Sequence, residues 1–155
     1  DLFRTYCLPS VAAQTRQDFE WVIFFDEQTP DEFRRQIAEL QAVYPFRAEF
    51  TGLFRMAEIV PDLMKGHEGV DWLLTSRLDS DDILAVDHVE RLRQVLTPNR
   101  CRVVNFLEGA ILSITDGVPR LYRVEDDSNP FAALMEPMGP EVKTIWGEMH
   151  IDIAK

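Results

Sequence analysis

The segment Trp72-Leu-Leu-Thr-Ser-Arg-Leu-Asp-Ser-Asp-Asp82 sets three carboxylates, Asp79, Asp81 and Asp82, directly behind an apolar run. Carboxylates packed together repel one another unless a cation or hydrogen-bond donors compensate. Oxygen ligands of this kind suit a hard divalent ion, Mg²⁺ or Mn²⁺, whose shell is commonly completed by substrate phosphate and water. The expected arrangement is one direct ligand, with the other acid water-bridged or in contact with a sugar. A competing reading makes Ser80-Asp81-Asp82 the cap of the next helix. Three acids exceed what one cap needs.

Other residues of the same chemical character lie elsewhere in the chain. Asp26 and Glu27 follow the apolar run Trp21-Val-Ile-Phe-Phe25. A carboxylate there can accept hydrogen bonds from a nucleobase N–H or a ribose hydroxyl, or it can be a loop acid beside a helix start. Glu136, after another apolar stretch, is a candidate general base; such a group must reach the hydroxyl whose proton it takes. Spacing alone equally allows a surface acid. His150 can complete a metal shell beside aspartates, although a lone histidine near a chain end is more often not a ligand. Trp72, Phe131 and Trp146 read as core or pocket wall. His67 and His88 stand beside polar residues, read as exposed, and receive no role.

The elements that must carry these residues follow from periodicity. Leu8, Val11 and Ala12 suggest a short helix. Trp21–Phe25 is a continuous β-rich run that predicts a strand covered on both faces. Thr29-Pro-Asp-Glu32 offers an N-cap, a proline at the first helical position and a glutamate placed for a capping box, ahead of the stripe Phe33, Ile37, Leu40 and Val43. A short strand over Phe46–Phe50 and a helix over Met56–Met64, broken at Pro61 and stopped by Gly66, come next. Then come the Trp72 strand, expected to end along the same rim of the sheet as the Trp21 strand, and a helix after Asp87 with Val89, Leu92, Val95 and Leu96 on its buried side. After residue 100 the texture turns to antiparallel β, with strands over 101–106, 110–115 and 120–124 and a hairpin signal at Asp116-Gly117.

Composition bounds the class. With 155 residues, 46% hydrophobic and 28% charged, the chain is globular and is expected to form one domain, with an α/β part over residues 1–100 and a β-rich part over 101–155. A formal charge of −11 disfavours nucleic acid and anionic membrane as partners. No apolar run reaches the roughly 20 residues of a membrane span. Cys7 and Cys101 lie in apolar surroundings and read as buried thiols, which fits a reducing, cytoplasmic setting. Because Asp1 stands first and no strand precedes Leu2–Ser10, an N-terminal strand is expected to be missing.

Ser10-Val-Ala-Ala-Gln-Thr15, followed by Asp18-Phe-Glu-Trp-Val-Ile-Phe-Phe-Asp26, resembles the opening of GT-A type nucleotide-sugar glycosyltransferases, and Leu78-Asp-Ser-Asp-Asp82 resembles their metal-binding Asp-x-Asp. More narrowly, Thr75-Ser-Arg-Leu-Asp-Ser-Asp-Asp82, with Asn129-Pro-Phe131, Glu136 and His150, resembles the rhamnosyltransferase family of bacterial polysaccharide enzymes. The resemblance implies a GT-A-like, Rossmann-like mixed sheet flanked by helices. It implies a nucleotide-diphosphate sugar donor and a saccharide acceptor, with residues 1–100 as the nucleotide-binding part and 101–155 as the acceptor side. On it, Asp26 and Glu27 lie near the nucleotide, Arg77 and Asp79 contact the donor, Asp81 with Asp79 holds Mn²⁺ or Mg²⁺, His150 adds a metal contact, and Glu136 is the catalytic base of an inverting enzyme. Two rivals differ in class. A haloacid-dehalogenase-type phosphatase also sets Asp-x-Asp behind a core strand, but Ile83 stands where that motif has threonine. A nucleotide-sugar-binding module without turnover is the other, since fold alone does not give function.

Overall fold

The computed structural model describes residues 1–67 and 69–147, apart from the side chains of Met56 and Ala57. It is a mixed α/β chain, and among the described residues the strands form three separate ladders. Two compact units divide it: Asp1–Pro61 with Ser80–Arg93, and Asp62–Asp79 with Gln94–Lys155.

The first unit is built on a parallel pair, β1 (Val22–Asp26) and β2 (Arg47–Thr51), in register from Val22 opposite Arg47 to Asp26 opposite Thr51. Helix α2 (Asp31–Gln41) makes the crossover that parallel strands require. Its Ile37 packs with Leu8 and Phe46 in a core flanked by Trp21, Ile23, Phe25 and Phe50. Phe25 stacks on Phe50, and Trp21 meets Phe46 edge-on. The expected stripe is buried only at its centre: Val43, past the end of the helix, and Phe33 are exposed. The expected capping box is not made either. The Thr29 hydroxyl donates to the Asp26 carbonyl at 2.6 Å, which closes the turn after β1, and Pro30 takes the N-cap position with no side-chain cap. Ahead of β1, a π-helical turn over Phe3–Cys7 runs into α1 (Leu8–Ala12), where Cys7, Leu8 and Val11 are buried.

Helix α3 (Met56–Leu63) continues through Pro61 rather than breaking there, and Gly66 follows at φ +86°. Helix α4 (His88–Val95) buries His88 and Leu92; Val95 is exposed. His88 therefore corrects the expectation of exposure, because its position on the helix faces inward although its sequence neighbours are polar.

In the second unit, β3 (Trp72–Ser76) pairs antiparallel with β7 (Ala133–Pro137), and β4 (Arg102–Val104) pairs antiparallel with the other edge of β7. This differs from the expectation that β1 and β3 end along one rim of a single sheet: they belong to different ladders. The central strand β7 has no counterpart among the elements expected from periodicity. Ala133-Leu-Met-Glu136 is buried throughout, so no alternation marks it as a strand. Ala132, Leu134 and Ile145 form the local core, with Trp146 packed against it. The hairpin β5 (Glu108–Thr115) and β6 (Val118–Glu125) turns through Asp116 at φ +54° and Gly117 at φ +74°, the two positive dihedrals of a tight two-residue turn. Cys101 is exposed, against the expectation of a buried thiol.

Candidate functional site at the acidic segment and its supports

The chain leaves β3 at Ser76 and enters the acidic segment through Arg77. The guanidinium of Arg77 lies 4.5 Å from the centre of the Trp146 ring, a cation–π arrangement that fixes the plane of the cation. From there its Nη2 donates to both oxygens of Asp79, at 3.2 and 3.3 Å. The Arg77 side chain is 12% exposed and that of Asp79 is 42% exposed, so a sheltered cation holds a carboxylate that is open to solvent.

Trp146 is itself held by β3 and β7. The Thr75 hydroxyl accepts the Ile145 N–H at 2.8 Å. Glu136, opposite Leu73 on β7, accepts the Lys143 N–H at 3.0 Å through Oε2 and the Thr144 N–H at 2.8 Å through Oε1. Thr144 sits at φ +60°, a left-handed conformation that a β-branched residue rarely adopts, and its hydroxyl accepts the Trp146 N–H at 3.3 Å. Glu136 is 5% exposed, which removes the surface-acid alternative. Each of its oxygens keeps a second lone pair beyond these bonds. No sequence signal marks Thr144 or Trp146 as part of this support; the pairing of β3 with β7 brings them in.

Asp81 and Asp82 belong to the first unit. The capping alternative does not hold for them: α4 begins at His88, and residues 83–86 between are not helical. The stretch that follows the acids is clamped by the Ser10–Thr15 segment. The Leu84 N–H donates to the Ser10 hydroxyl at 3.2 Å, and the Thr15 N–H donates to the Val86 carbonyl at 2.8 Å. Gln14, 4% exposed, donates through Nε2 to the Ala85 carbonyl at 2.7 Å and the Ser10 carbonyl at 3.1 Å, and its Oε1 accepts the Val89 N–H at 3.0 Å. The Thr15 hydroxyl reaches Glu90 at 2.9 Å. This gives the Gln-Thr segment a physical role: it sets where the acidic segment joins α4. Burial pushes the Cys7 thiol up to about 11, with Asp82 and then Asp81 adding to the shift. Negative potential from these acids thus reaches the buried end of the first helical stretch.

Asp26 closes β1, and its Oδ1 accepts the Gln28 N–H at 2.7 Å. It borders an open cavity of about 570 Å³ whose walls include Phe3, Phe25, Phe33 and Leu40, with Arg4 and Gln36 among the polar groups. The neighbouring Glu27 carboxylate lies against Gly52; a Cβ on residue 52 would stand 2.5 Å from Glu27 Oε1, so only glycine leaves the acid where it is. Arg34 fixes the turn, donating to the carbonyls of Glu27 at 2.5 Å and Thr29 at 2.9 Å while its guanidinium covers Phe50 at 4.0 Å.

Among the described residues, no group of three His, Cys, Asp or Glu side chains converges as a metal centre. His150 lies outside the described residues. The donors of the acidic segment are carboxylate oxygens. That chemistry fits Mg²⁺ or Mn²⁺ held by one or two protein acids, with substrate phosphate as the remaining ligand, rather than an all-protein cage.

Comparison with curated proteins returns no match, and neither does comparison with solved structures. A family model does match: the one described as putative rhamnosyl transferase aligns with residues 1–155, the whole chain. This chain belongs to that family of transferases.

Proposed function

We propose that the chain is a GT-A-type glycosyltransferase that moves a sugar, rhamnose on the family's name, from a nucleotide-diphosphate donor to a saccharide acceptor. Family membership supports the transferase class. The observation that carries the site is the Asp79 carboxylate, presented to solvent by an arginine that is itself locked on Trp146. Such a carboxylate is oriented before any ligand arrives, so binding loses less freedom on association.

In this reading Asp81, together with Asp79, supplies oxygen ligands to Mg²⁺ or Mn²⁺, and His150 is a further candidate contact. When bound, the ion stabilises charge on the departing diphosphate as a Lewis acid. Asp26, beside a cavity with aromatic walls, accepts from a nucleobase N–H or a ribose hydroxyl, and Glu27 is its neighbour in that role. Arg77 holds Asp79 for the donor. Glu136 is the candidate base: one of its free lone pairs takes the proton of the acceptor hydroxyl as the new glycosidic bond forms and the nucleotide diphosphate leaves.

The test is donor turnover with Mn²⁺ present in Asp81→Asn and Asp81→Ala. Both are expected to lose about 10²-fold or more, the scale of losing one charge-stabilising group. Near-native rates would remove the metal proposal. A thermal-shift screen of nucleotide diphosphates with and without Mn²⁺ reads binding separately, because a bound ligand raises stability with the logarithm of its saturation.

A further inference from the structure

We infer that Arg77, braced on Trp146, closes the chelating side of Asp79, so that this acid takes a divalent ion through one oxygen only and prefers Mg²⁺ or Mn²⁺ to Ca²⁺. The inference rests on the reading of Asp79 as an ion ligand, and adds the selectivity of that ligand and the residues that set it.

The position of one nitrogen carries the argument. Arg77 Nη2 stands 3.2 Å from Oδ1 and 3.3 Å from Oδ2 of Asp79 and donates to both. A donor so nearly equidistant lies in front of the carboxylate, on the plane that bisects it. A cation bound by both oxygens needs that same place, and a guanidinium repels it from there. Each carboxylate oxygen has two lone-pair sites, so an ion is left with those turned away from the arginine. Ions differ in what this costs them. Ca²⁺ surrounds itself with about six to eight oxygens in a flexible shell and gains from a carboxylate that offers two. Mg²⁺ demands a near-octahedral shell and keeps several waters, which the narrow bite of a chelating carboxylate distorts. Mn²⁺ suits the same octahedral set of oxygens.

The ring keeps the arginine in place. An ion pair on open surface exchanges readily with water. Here the guanidinium lies 4.5 Å from the centre of the Trp146 ring, and the Arg77 side chain is 12% exposed. The ring is fixed in turn by its packing against the Ala132, Leu134 and Ile145 core. Next to it, the Ile145 N–H donates to the hydroxyl of Thr75, two residues before Arg77, and Glu136 accepts the N–H of the left-handed Thr144. The end of β3 thus anchors both the cation and its brace. Trp146 is a positioning residue, because it acts on the ion through Arg77.

The experiment is titration of the full chain with Mn²⁺ alone, bound ion being read from the loss of the free-ion signal in electron paramagnetic resonance, followed by competition with Mg²⁺ and with Ca²⁺. In the wild type, Mg²⁺ is expected to displace Mn²⁺, and Ca²⁺ to do so only at about tenfold or more higher concentration. In Trp146→Leu the guanidinium loses its ring, and the disadvantage of Ca²⁺ is expected to shrink by about fivefold or more, the scale of a sheltered cation–π contact. Trp146→Phe keeps an aromatic face and is expected to restore most of it. Arg77→Met removes the blocking cation and is expected to abolish the disadvantage, which keeps the test open if Trp146→Leu loses its native circular-dichroism spectrum. General loosening of the fold weakens all three ions together, so the ratio reports position. A wild-type ratio near one, an unchanged ratio in Arg77→Met or in natively folded Trp146→Leu, or a Trp146→Phe ratio no better than that of Trp146→Leu would overturn the inference and leave Asp79 an ion ligand. Mn²⁺ held as well by Asp79→Asn as by the wild type, or by neither, would overturn the underlying reading and the inference with it.

Discussion

At the scale of single residues, burial decides what the acids, thiols and imidazoles can do. Glu136 is placed by the fold to satisfy two backbone N–H groups of a strained turn, so any catalytic proton it accepts goes to a carboxylate already fixed in orientation. Cys7 is buried and held in its thiol form, whereas Cys101 is exposed. His88 carries the clearest consequence for pH. Burial lowers its pKa, Arg91 acts in the same direction, and Asp87 opposes them. The folded chain therefore resists a proton that the unfolded chain accepts near the ordinary histidine value of about 6.5. Its contribution to stability is complete above that value and is lost as the pH falls below it. We predict that the melting temperature drops as the pH falls below the ordinary histidine value of about 6.5, and that His88→Gln shrinks that drop. An identical slope in the variant would show that other groups carry it.

At the scale of elements, the Ser10–Thr15 clamp joins two segments far apart in sequence through one buried amide. Gln14→Ala removes three hydrogen bonds; it leaves the Val89 N–H without the Gln14 acceptor, while the Ala85 carbonyl keeps the His88 N–H at 3.0 Å. A loss of about 2–4 kcal/mol is expected in urea unfolding, from the bonds themselves and from the amide left without its acceptor. Gln14→Glu is expected to lose a similar amount, since a carboxylate keeps the acceptor for Val89 but cannot donate to two carbonyls. A loss below about 0.5 kcal/mol in both would mean that water replaces the amide. The sequence made β1, α2, β2, β3, α4 and the hairpin legible, because each has a strong period or a turn signal. It did not make β7 legible, since a strand buried on both faces shows no alternation and its alanines carry little β preference. The same gap hid Trp146 and Thr144, which are held beside the acidic segment by Glu136 of β7 together with Thr75 of β3. Conversely, Arg77 and Asp79 were legible as a motif, but their pairing across a tryptophan face is a tertiary fact that spacing cannot carry.

At the scale of the whole molecule, the two units are interleaved in sequence, so neither half of the chain is a unit by itself. A division near residue 100, natural from the change of texture there, cuts across this organisation. Residues 1–100 contain the whole of the first unit, Asp1–Pro61 and Ser80–Arg93, but of the second they keep β3 and lose β7. In the full chain β3 is bonded to β7 at every position from Trp72 to Ser76, and no other strand partners it among the described residues. Hydrogen exchange on a 1–100 fragment should therefore separate the two. Amides of β1, β2 and α2 are expected to stay protected, because the Leu8, Ile37 and Phe46 core lies wholly within the fragment. Amides of β3 are expected to exchange at the rate of an open chain, since a strand without a ladder leaves its backbone groups to water. Protection that survived in β3 would mean that its order comes from something other than β7. The arginine at its end would then be positioned without the Glu136 and Trp146 support.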